Sequence, residues 1–224
     1  MNLARGARII LAKELRTEFR ARELLSTTIV FVLLVIVLFS FTFDPTSAES
    51  RRFGPGLLWL AFLFAGSLML QPSFLREQSN DTLASLRMAP IEPFAIFLGK
   101  IAANLFFMLL AELFLLPVFA VLYNVSIVPV FGSLTLVLFL GTLGVATVGT
   151  VLSAISVHAR MRELMLPLLL LPALTPVLVA SAEVTAGLMA QPPVLNTEGL
   201  LLLVIFDVVF LTAAWLVAEY LLEE

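Results

Sequence analysis

The sequence has no cysteine and a single histidine, His158. Without cysteine the chain cannot form disulfides, thiolate metal sites or a cysteine nucleophile. One histidine also excludes a metal site built from several imidazoles. Charged residues are scarce as well, at 13%, which is about half the share of an average soluble domain. A chain with so little charge cannot cover a large water-exposed surface.

Hydrophobic residues take the place of the missing charge. They make up 61% of the 224 residues, and the mean hydropathy is +1.08. This composition predicts an all-α integral membrane protein, in which each spanning helix needs about 20 apolar residues. Six segments meet or approach that length: Leu24–Phe43, Leu57–Leu75, Phe94–Tyr123, Phe131–Val157, Leu164–Ala182 and Leu200–Leu222. We therefore expect an N-terminal segment, 1–23, and a six-helix membrane domain, 24–224.

Lysine and arginine predict the orientation, because short cytoplasmic loops carry an excess of both. The outer side has Arg51 and Arg52 in its first loop. Basic residues are denser before the first span, after the second and after the fourth: Arg5, Arg8, Lys13, Arg16, Arg20, Arg22, Arg76, Arg87, Lys100, Arg160 and Arg162. Both termini are therefore expected in the cytoplasm.

The segment Ala7–Glu23 is amphipathic at the helical period. Leu11, Ala12, Leu15 and Phe19 share one face, and Lys13, Arg16, Thr17 and Arg20 lie opposite. A basic amphipathic helix of this kind lies in the membrane interface. It could anchor the N-terminus to anionic lipid, or it could brace the bundle as an elbow helix.

Two of the later spans have unusual composition. Pro167, Pro172 and Pro176 predict an irregular fifth span, which is tolerated only against protein or a wet cavity, so we expect it inside the bundle. The fourth span is rich in small residues, and Thr142, Ala146 and Thr150 repeat every four positions. Such a face allows close helix packing within one bundle or at a subunit interface.

Sequence motifs for catalysis are incomplete. Gly99-Lys100 is similar to the end of a phosphate-binding loop, but Phe94 and Ile101 stand where the motif needs glycine and a hydroxyl residue. Ser67 has no histidine partner in the membrane for nucleophilic catalysis. We therefore expect no enzyme activity and no resident cofactor or metal in this subunit.

Two carboxylates fall within predicted spans, Glu112 in the third and Asp207 in the sixth. Carboxylates at that depth are costly and point to function. They could line a polar path, contact a partner subunit, or be neutral acids bonded to backbone, to Asn104 or to threonines. His158 and Arg160 lie at the cytoplasmic boundary, where they serve as positive-inside residues or contact a phosphate or heme propionate.

A polar stretch, Arg76–Pro90, separates the second and third spans. Ser79 or Asn80 can cap a short helix, Asp81 suits its positive end, and Leu83 and Leu86 share one face. This pattern predicts an interfacial loop helix, or a coupling helix that inserts into a groove of a cytoplasmic ATPase. The coupling contact would use Glu77, Asp81, Leu83, Leu86 and Arg87.

Many short segments in this order resemble one family: Leu11–Leu24, Phe39–Phe43, Gly56–Leu60, Phe74–Glu77, Leu86–Pro90, Gly99–Asn104, Gly144–Thr150, His158–Arg160 and Leu166–Pro172. The family is CcmB, the permease subunit of the cytochrome c maturation (heme exporter) ABC transporter. The resemblance implies an ABC-2 type permease bundle in the bacterial cytoplasmic (inner) membrane. Another ABC-2 permease, for a lipid, glycan or drug, and a non-transporting assembly scaffold are the alternatives.

The resemblance also implies partners. They are a cytoplasmic ABC ATPase that hydrolyses ATP, a tryptophan-rich heme-handling membrane protein, a small single-span subunit, a periplasmic heme chaperone and a second permease copy; no nucleic acid is expected. Heme would be the transported or handled species.

Heme ligation needs His, Cys, Met or Tyr, and on the predicted outer side the candidates are Met189 and Tyr123. We predict that the purified subunit does not bind heme tightly through an axial ligand. In a heme titration followed by absorbance, it should show no saturable axial-ligand spectrum. Tight binding that His158→Ala abolishes would contradict this.

Overall fold

The computed structural model describes residues 2–21, 23–42, 48–79, 88–156, 162–190 and 192–223. These residues form α-helices joined by short connections. The helices are α1 (Leu3–Ala21), α2 (Glu23–Thr42), α3 (Ala48–Leu70), α4 (Pro72–Ser79), α5 (Pro93–Leu122), α6 (Phe131–Ser156), α7 (Arg162–Met189) and α8 (Thr197–Glu223). A 3-10 turn, Val128–Val130, precedes α6.

Six stretches are long and apolar enough to cross a membrane, as the sequence predicts. They are Leu24–Phe41, Phe53–Gln78, Pro93–Leu122, Val128–Ser156, Met165–Met189 and Thr197–Leu221. The chain is therefore a multi-pass membrane protein with a helical bundle.

Prolines set two helix boundaries near the predicted polar stretch. α5 begins at Pro93, a first-turn position where the missing N–H costs no hydrogen bond. α3 ends at Leu70, and Pro72 starts α4, because a proline disfavours helical backbone in the residue before it. The second span is therefore two consecutive helices rather than the single helix predicted to Leu75.

The fifth span is more regular than the sequence predicts. α7 is continuous through Pro167, Pro172 and Pro176 and reaches Met189, beyond the predicted end at Ala182. Pro172 and Pro176 are exposed. Each proline lacks an N–H group and leaves one backbone carbonyl of the helix without its partner. Because both prolines are on the exposed side, the packed side of α7 stays regular. Leu166, Leu170, Leu174 and Val177 form that packed side, at helical spacing.

The second span, rather than the fifth, is the most enclosed part of the bundle. About two-thirds of it is buried, at 67%, against 33% for the fifth span. The prediction that the fifth span lies wholly inside is therefore wrong. α7 packs against α3, α6 and α8 on one side and presents Leu168 and Val179 outward on the other.

The small residues of α6 are used for packing inside the chain. Thr142, Ala146 and Thr150 are all buried. The backbone at Gly141 lies against the Trp59 ring and the Ser181 hydroxyl. Trp59 is fully buried, and its Nε1 donates a hydrogen bond to Thr185 Oγ1 at 3.0 Å. Gly141 therefore lets α3 and α7 approach α6 closely, while Thr142 and Thr150 bond to Glu112 and Asn104 of α5. These contacts agree with packing within one bundle.

The contact at Gly141 makes a prediction about stability. A Cβ atom there would lie 2.3 Å from Trp59 Cη2 and 2.6 Å from Ser181 Oγ, so Gly141→Ala should destabilise the protein by about 1–3 kcal/mol through overpacking. Thermal unfolding in detergent measures the effect. Gly132→Ala is the matched control in the same helix, because nothing lies within 4 Å of the position that its methyl group would take. Equal midpoints for the two variants would contradict the prediction.

Candidate functional site

Helix α1 packs directly on α5 through a close backbone approach. A Cβ atom at Gly99 would lie 2.6 Å from Ile10 Cβ and 2.8 Å from the Ala7 carbonyl oxygen. Only glycine at this position allows the two helices to come so near. The buried residues of α1 are Gly6, Ile10 and Glu18. Of the apolar face predicted from the sequence, Leu15 and Phe19 also contact the bundle, while Ala12 is exposed.

Lys100 is the centre of an ion-pair cluster between α1, α4 and α5. Its side chain is 1% exposed. The Nζ atom donates to Glu14 Oε1 at 2.7 Å, to Glu77 Oε1 at 2.8 Å and to the Ser73 carbonyl. These acceptors use all three N–H groups of the ammonium. The Phe74 ring lies beneath it, with Nζ 4.7 Å from the centroid, so a buried charge is fully compensated.

Lys13 is the more exposed cation of the same cluster and pairs with the same two carboxylates as Lys100. Its Nζ lies 2.5 Å from Glu77 Oε1 and 3.2 Å from Glu14 Oε1. Partial burial of Lys13 disfavours its charged form, but the hydrogen bonds and charges of Glu77 and Glu14 outweigh this and raise its pKa above the ordinary value. Lys13 therefore stays charged at neutral pH.

A second pair, Glu18 and Arg76, completes the cluster. Arg76 Nη2 donates to Glu18 Oε2 at 2.7 Å, and Glu18 Oε1 accepts a hydrogen bond from the Leu24 backbone N–H at 3.1 Å. Glu18 thus holds α4 with one oxygen and the first turn of α2 with the other. Together Lys13, Arg76 and Lys100 balance Glu14, Glu18 and Glu77.

Neutral hydrogen bonds extend this connection to α6. Asn104 Nδ2 lies 3.2 Å from Ser73 Oγ and 2.9 Å from Thr150 Oγ1. Ser153 Oγ donates to the Leu70 carbonyl at 3.0 Å, which satisfies a backbone acceptor at the end of α3. An apolar cluster lies alongside, formed by Ile10, Phe74, Ile96, Phe97, Ala154 and Ala218.

The arrangement makes α4 a firm part of the bundle. The short helix is held to α1 and α5 by charge, to α6 indirectly through Asn104 of α5, which bonds both Ser73 and Thr150, and to α8 through the shared apolar cluster. Its last residue, Ser79, leads into residues 80–87. A displacement of that segment would therefore reach several membrane helices at once.

Glu112 lies at the contact of α5 and α6 and is 4% exposed. Thr142 Oγ1 donates to its Oε1 at 2.5 Å. The second oxygen, Oε2, has no hydrogen-bond partner among the described residues. Of the partners foreseen, a threonine is therefore the one present, while Asn104 bonds to Ser73 and Thr150.

Asp207 lies between α8 and α6 and is also 4% exposed. Neither carboxylate oxygen has a partner within the described part of the chain. A Cβ atom on Gly144 would lie 3.1 Å from Oδ1, so the absence of a side chain at Gly144 makes room for the carboxyl group. An unpaired charge is costly at such a position, and the hydrogen bond to backbone, Asn104 or a threonine predicted for a neutral acid is not seen among the described residues. The role of Asp207 stays a prediction.

Comparison with known proteins agrees with this architecture. A family model described as CcmB protein matches residues 6–220, nearly the whole chain. The chain belongs to the CcmB family. Heme exporter protein B of Pseudomonas aeruginosa is 32% identical over 185 residues, covering 82% of each chain. Heme exporter protein B of Rhodobacter capsulatus is 31% identical over 211 residues, covering 92% of this chain and 96% of the relative.

The predicted site residues of this CcmB-family chain fall into three groups. Glu77 joins the ion-pair cluster, where it is 3% exposed and faces Lys13 and Lys100 inside the chain. It is therefore not placed to touch an ATPase. Glu112 and Asp207 lie apart in the membrane domain, as described above. Asp81, Leu83, Leu86, Arg87, His158 and Arg160 lie outside the described residues.

The polar stretch also begins differently from the prediction. Arg76–Ser79 form the last turn of α4, which follows directly from the second span. Gln71 and Pro72 interrupt the span one turn earlier than predicted, so α4 is already a separate helix when it reaches Arg76. Arg76 consequently pairs with Glu18 of α1 rather than facing the cytoplasm as a loop charge.

Sequence reasoning missed Glu14, Glu18 and the role of Lys100 in this family member. From the sequence, Lys100 is a positive-inside residue and part of an incomplete phosphate-binding motif, with no indication of an ion pair. A signal was present, because Glu14 and Glu18 are one turn apart in an otherwise basic helix and fall on the side of Ile10. Which cation they meet depends on how α1 and α5 pack, which periodicity alone does not show.

The cluster makes a testable prediction for Lys100. Lys100→Met removes the buried cation and leaves Glu14 and Glu77 undercompensated, which should cost roughly 3–5 kcal/mol of stability. Thermal unfolding in detergent is the measurement. Lys13→Met is the control, because Lys13 is 46% exposed and a solvated pair contributes at most about 1 kcal/mol. A Lys100→Met midpoint at or above that of Lys13→Met would contradict the prediction.

Proposed function

We propose that this chain is the membrane permease subunit of a heme exporter that serves c-type cytochrome maturation. The observation that carries the proposal is the family match over residues 6–220 on a chain with six candidate spans. The relatives named heme exporter protein B align over most of their length. The function therefore concerns the whole permease rather than a shared fragment.

ATP hydrolysis is assigned to a separate cytoplasmic ABC ATPase. The incomplete phosphate-binding motif at Gly99-Lys100 supports this division, and the structure gives Lys100 a different task, as an ion-pair centre. The ATPase would engage the segment 80–87, with Leu83 and Leu86 entering its groove. Arg87 and Asp81 would flank that contact, while Glu77 positions α4 from within.

The ion-pair cluster would transmit the motion of that ATPase. Residues 80–87 follow α4, whose Arg76 and Glu77 are bound to α1 and α5. A push on the loop would move α4 with its partners, because separating them would expose buried charges. Helices α1, α5 and α6 would thus respond together to the nucleotide state of the ATPase.

Heme is the substrate in this proposal and is held mainly by partners. Tyr123, one predicted ligand candidate, is 3% exposed and stacks on Phe119 with centroids 4.5 Å apart. Trp59 is likewise occupied, in the bundle core. We therefore assign heme binding to a tryptophan-rich membrane partner and a periplasmic chaperone, and to this subunit the step that releases or transfers heme.

The assembly would sit in the bacterial inner membrane with both termini in the cytoplasm. Two permease copies, the ATPase, the heme-handling protein and a small single-span subunit would form the complex. In this complex Glu112 and Asp207 would be polar residues at helix–helix contacts. Glu112 lies between α5 and α6, and Asp207 lies between α8 and α6.

The experiment is complementation of a bacterial strain that lacks its own permease gene. The wild-type chain should restore covalent heme staining of c-type cytochromes and should co-purify with the ATPase. Leu83→Asp combined with Leu86→Asp should abolish both, because two charges cannot enter an apolar groove. Ser85→Asp is the control, since it adds charge to the same segment on the opposite side of a helix.

Two results would count against this proposal. If the host strain that lacks its own permease gene forms c-type cytochromes normally without this chain, the heme-exporter function fails. If the Leu83→Asp, Leu86→Asp variant keeps the ATPase but the Ser85→Asp variant loses it, the coupling face is wrongly assigned.

A further inference from the structure

Helix α1 has three sides. One is buried against the bundle, a second contacts it through Leu15 and Phe19, and the third faces outward. The buried side contains Gly6, Ile10 and Glu18. Phe19 is 50% exposed and Ile9 is 48% exposed. At 100° per residue, Leu11, Leu15 and Phe19 fall on a second side, and Arg5, Arg16 and Arg20 fall on a third. The sequence alone suggests two faces, an apolar one and a basic one.

Packing sorts the charges of α1 by sign. Its two acidic residues, Glu14 and Glu18, turn inward and are bound by Lys100 and Arg76. The other two sides carry only positive charge. Arg8 lies on the second side, and Arg5, Arg16 and Arg20 lie on the third; all four are exposed. None of these four arginines forms an ion pair with another described residue. The outer surface is therefore far more basic than the helix as a whole.

Helix α1 runs alongside α5 from near the beginning of α5. Gly99, the seventh residue of α5, packs on Ala7 and Ile10. With 30 residues, α5 is about 45 Å long, which exceeds the hydrocarbon core of about 30 Å. Phe19 packs further along α5, on Phe106 and Phe107, with centroid distances of 6.2 and 5.5 Å.

An open surface of α1 combines the two kinds of side chain that a phospholipid needs. It is formed by Arg5, Arg8, Ile9, Leu11, Ala12 and Leu15. The two arginines lie toward the start of the helix, and the aliphatic side chains continue toward Phe19. Arginine binds phosphate oxygens in a bidentate fork, and an acyl chain suits the apolar continuation.

We propose that this surface binds an anionic phospholipid of the membrane, with its phosphate on Arg5 and Arg8 and an acyl chain beside Leu11, Leu15 and Phe19. Because this surface and the ion-pair cluster are on the same helix, a lipid that holds α1 in place also favours its contacts with α4 and α5. Anionic lipid therefore stabilises the Glu14–Lys100 and Glu18–Arg76 contacts. The proposal rests on the position of α1 and not on heme as the substrate.

The test uses the full chain in nanodiscs of phosphatidylcholine, with and without phosphatidylglycerol. Phosphatidylglycerol should raise the thermal unfolding midpoint, and native mass spectrometry should show retained lipid. In Arg5→Gln combined with Arg8→Gln, lipid affinity should fall about thirtyfold and the thermal shift should vanish. Arg51→Gln combined with Arg52→Gln is the matched control, with the same loss of charge elsewhere, and should keep both effects.

Three outcomes would overturn the proposal. Equal midpoints in the two lipid mixtures would exclude a lipid role, and equal losses in both double variants would reduce the effect to net charge. Loss of a partner protein in Arg5→Gln, Arg8→Gln without any change in lipid retention would assign the surface to that protein. None of these outcomes depends on cytochrome assembly, so failure here is separable from failure of the heme-exporter function.

Discussion

The fold depends on one buried cation. Lys100 is removed from water within a mainly apolar helix, a position that is stable only when the ammonium is fully bonded. Its three acceptors come from two other helices, because Glu14 lies on α1, whereas Ser73 and Glu77 lie on α4. The requirement of one charge therefore determines where an interfacial helix and the end of the second span must be. The apolar core alone, being non-directional, would not specify that register.

Glycine and other small residues allow the helices to pack closely, which complements the ion pairs of Lys100. Gly99 lets α1 come near enough for Glu14 to reach Lys100, and Gly141 receives the Trp59 ring. In lipid there is little hydrophobic drive between helices, so close van der Waals contact and hydrogen bonds hold them together. The chain thus combines steric fit inside the spans with ion pairs between α1, α4 and α5.

Much of the architecture could be predicted from local composition. The six spans follow from runs of apolar residues, since a bilayer demands about 20 of them per helix. Predictions from local sequence were wrong where the packing of helices against one another decides the outcome. The prolines of α7 suggested an irregular helix, but Pro172 and Pro176 lie on the outer side and leave the packed side intact. From the sequence, Arg76 and Lys100 indicate only which side of the membrane their loop faces, because sequence spacing does not show which carboxylates they contact.

By itself the sequence determined the membrane class, the number of spans, the amphipathic character of the first helix and the family, because each depends on composition, local period or ordered motifs. Only the tertiary structure decided that Glu14, Glu18, Arg76, Glu77 and Lys100 form one cluster, with residues 14 and 100 far apart in the chain. It also decided that the charges on the outer side of α1 are all positive, because Glu14 and Glu18 turn inward. The physical reason is that charge pairing is a property of distance in space, and helix packing brings these groups to within 3 Å of one another.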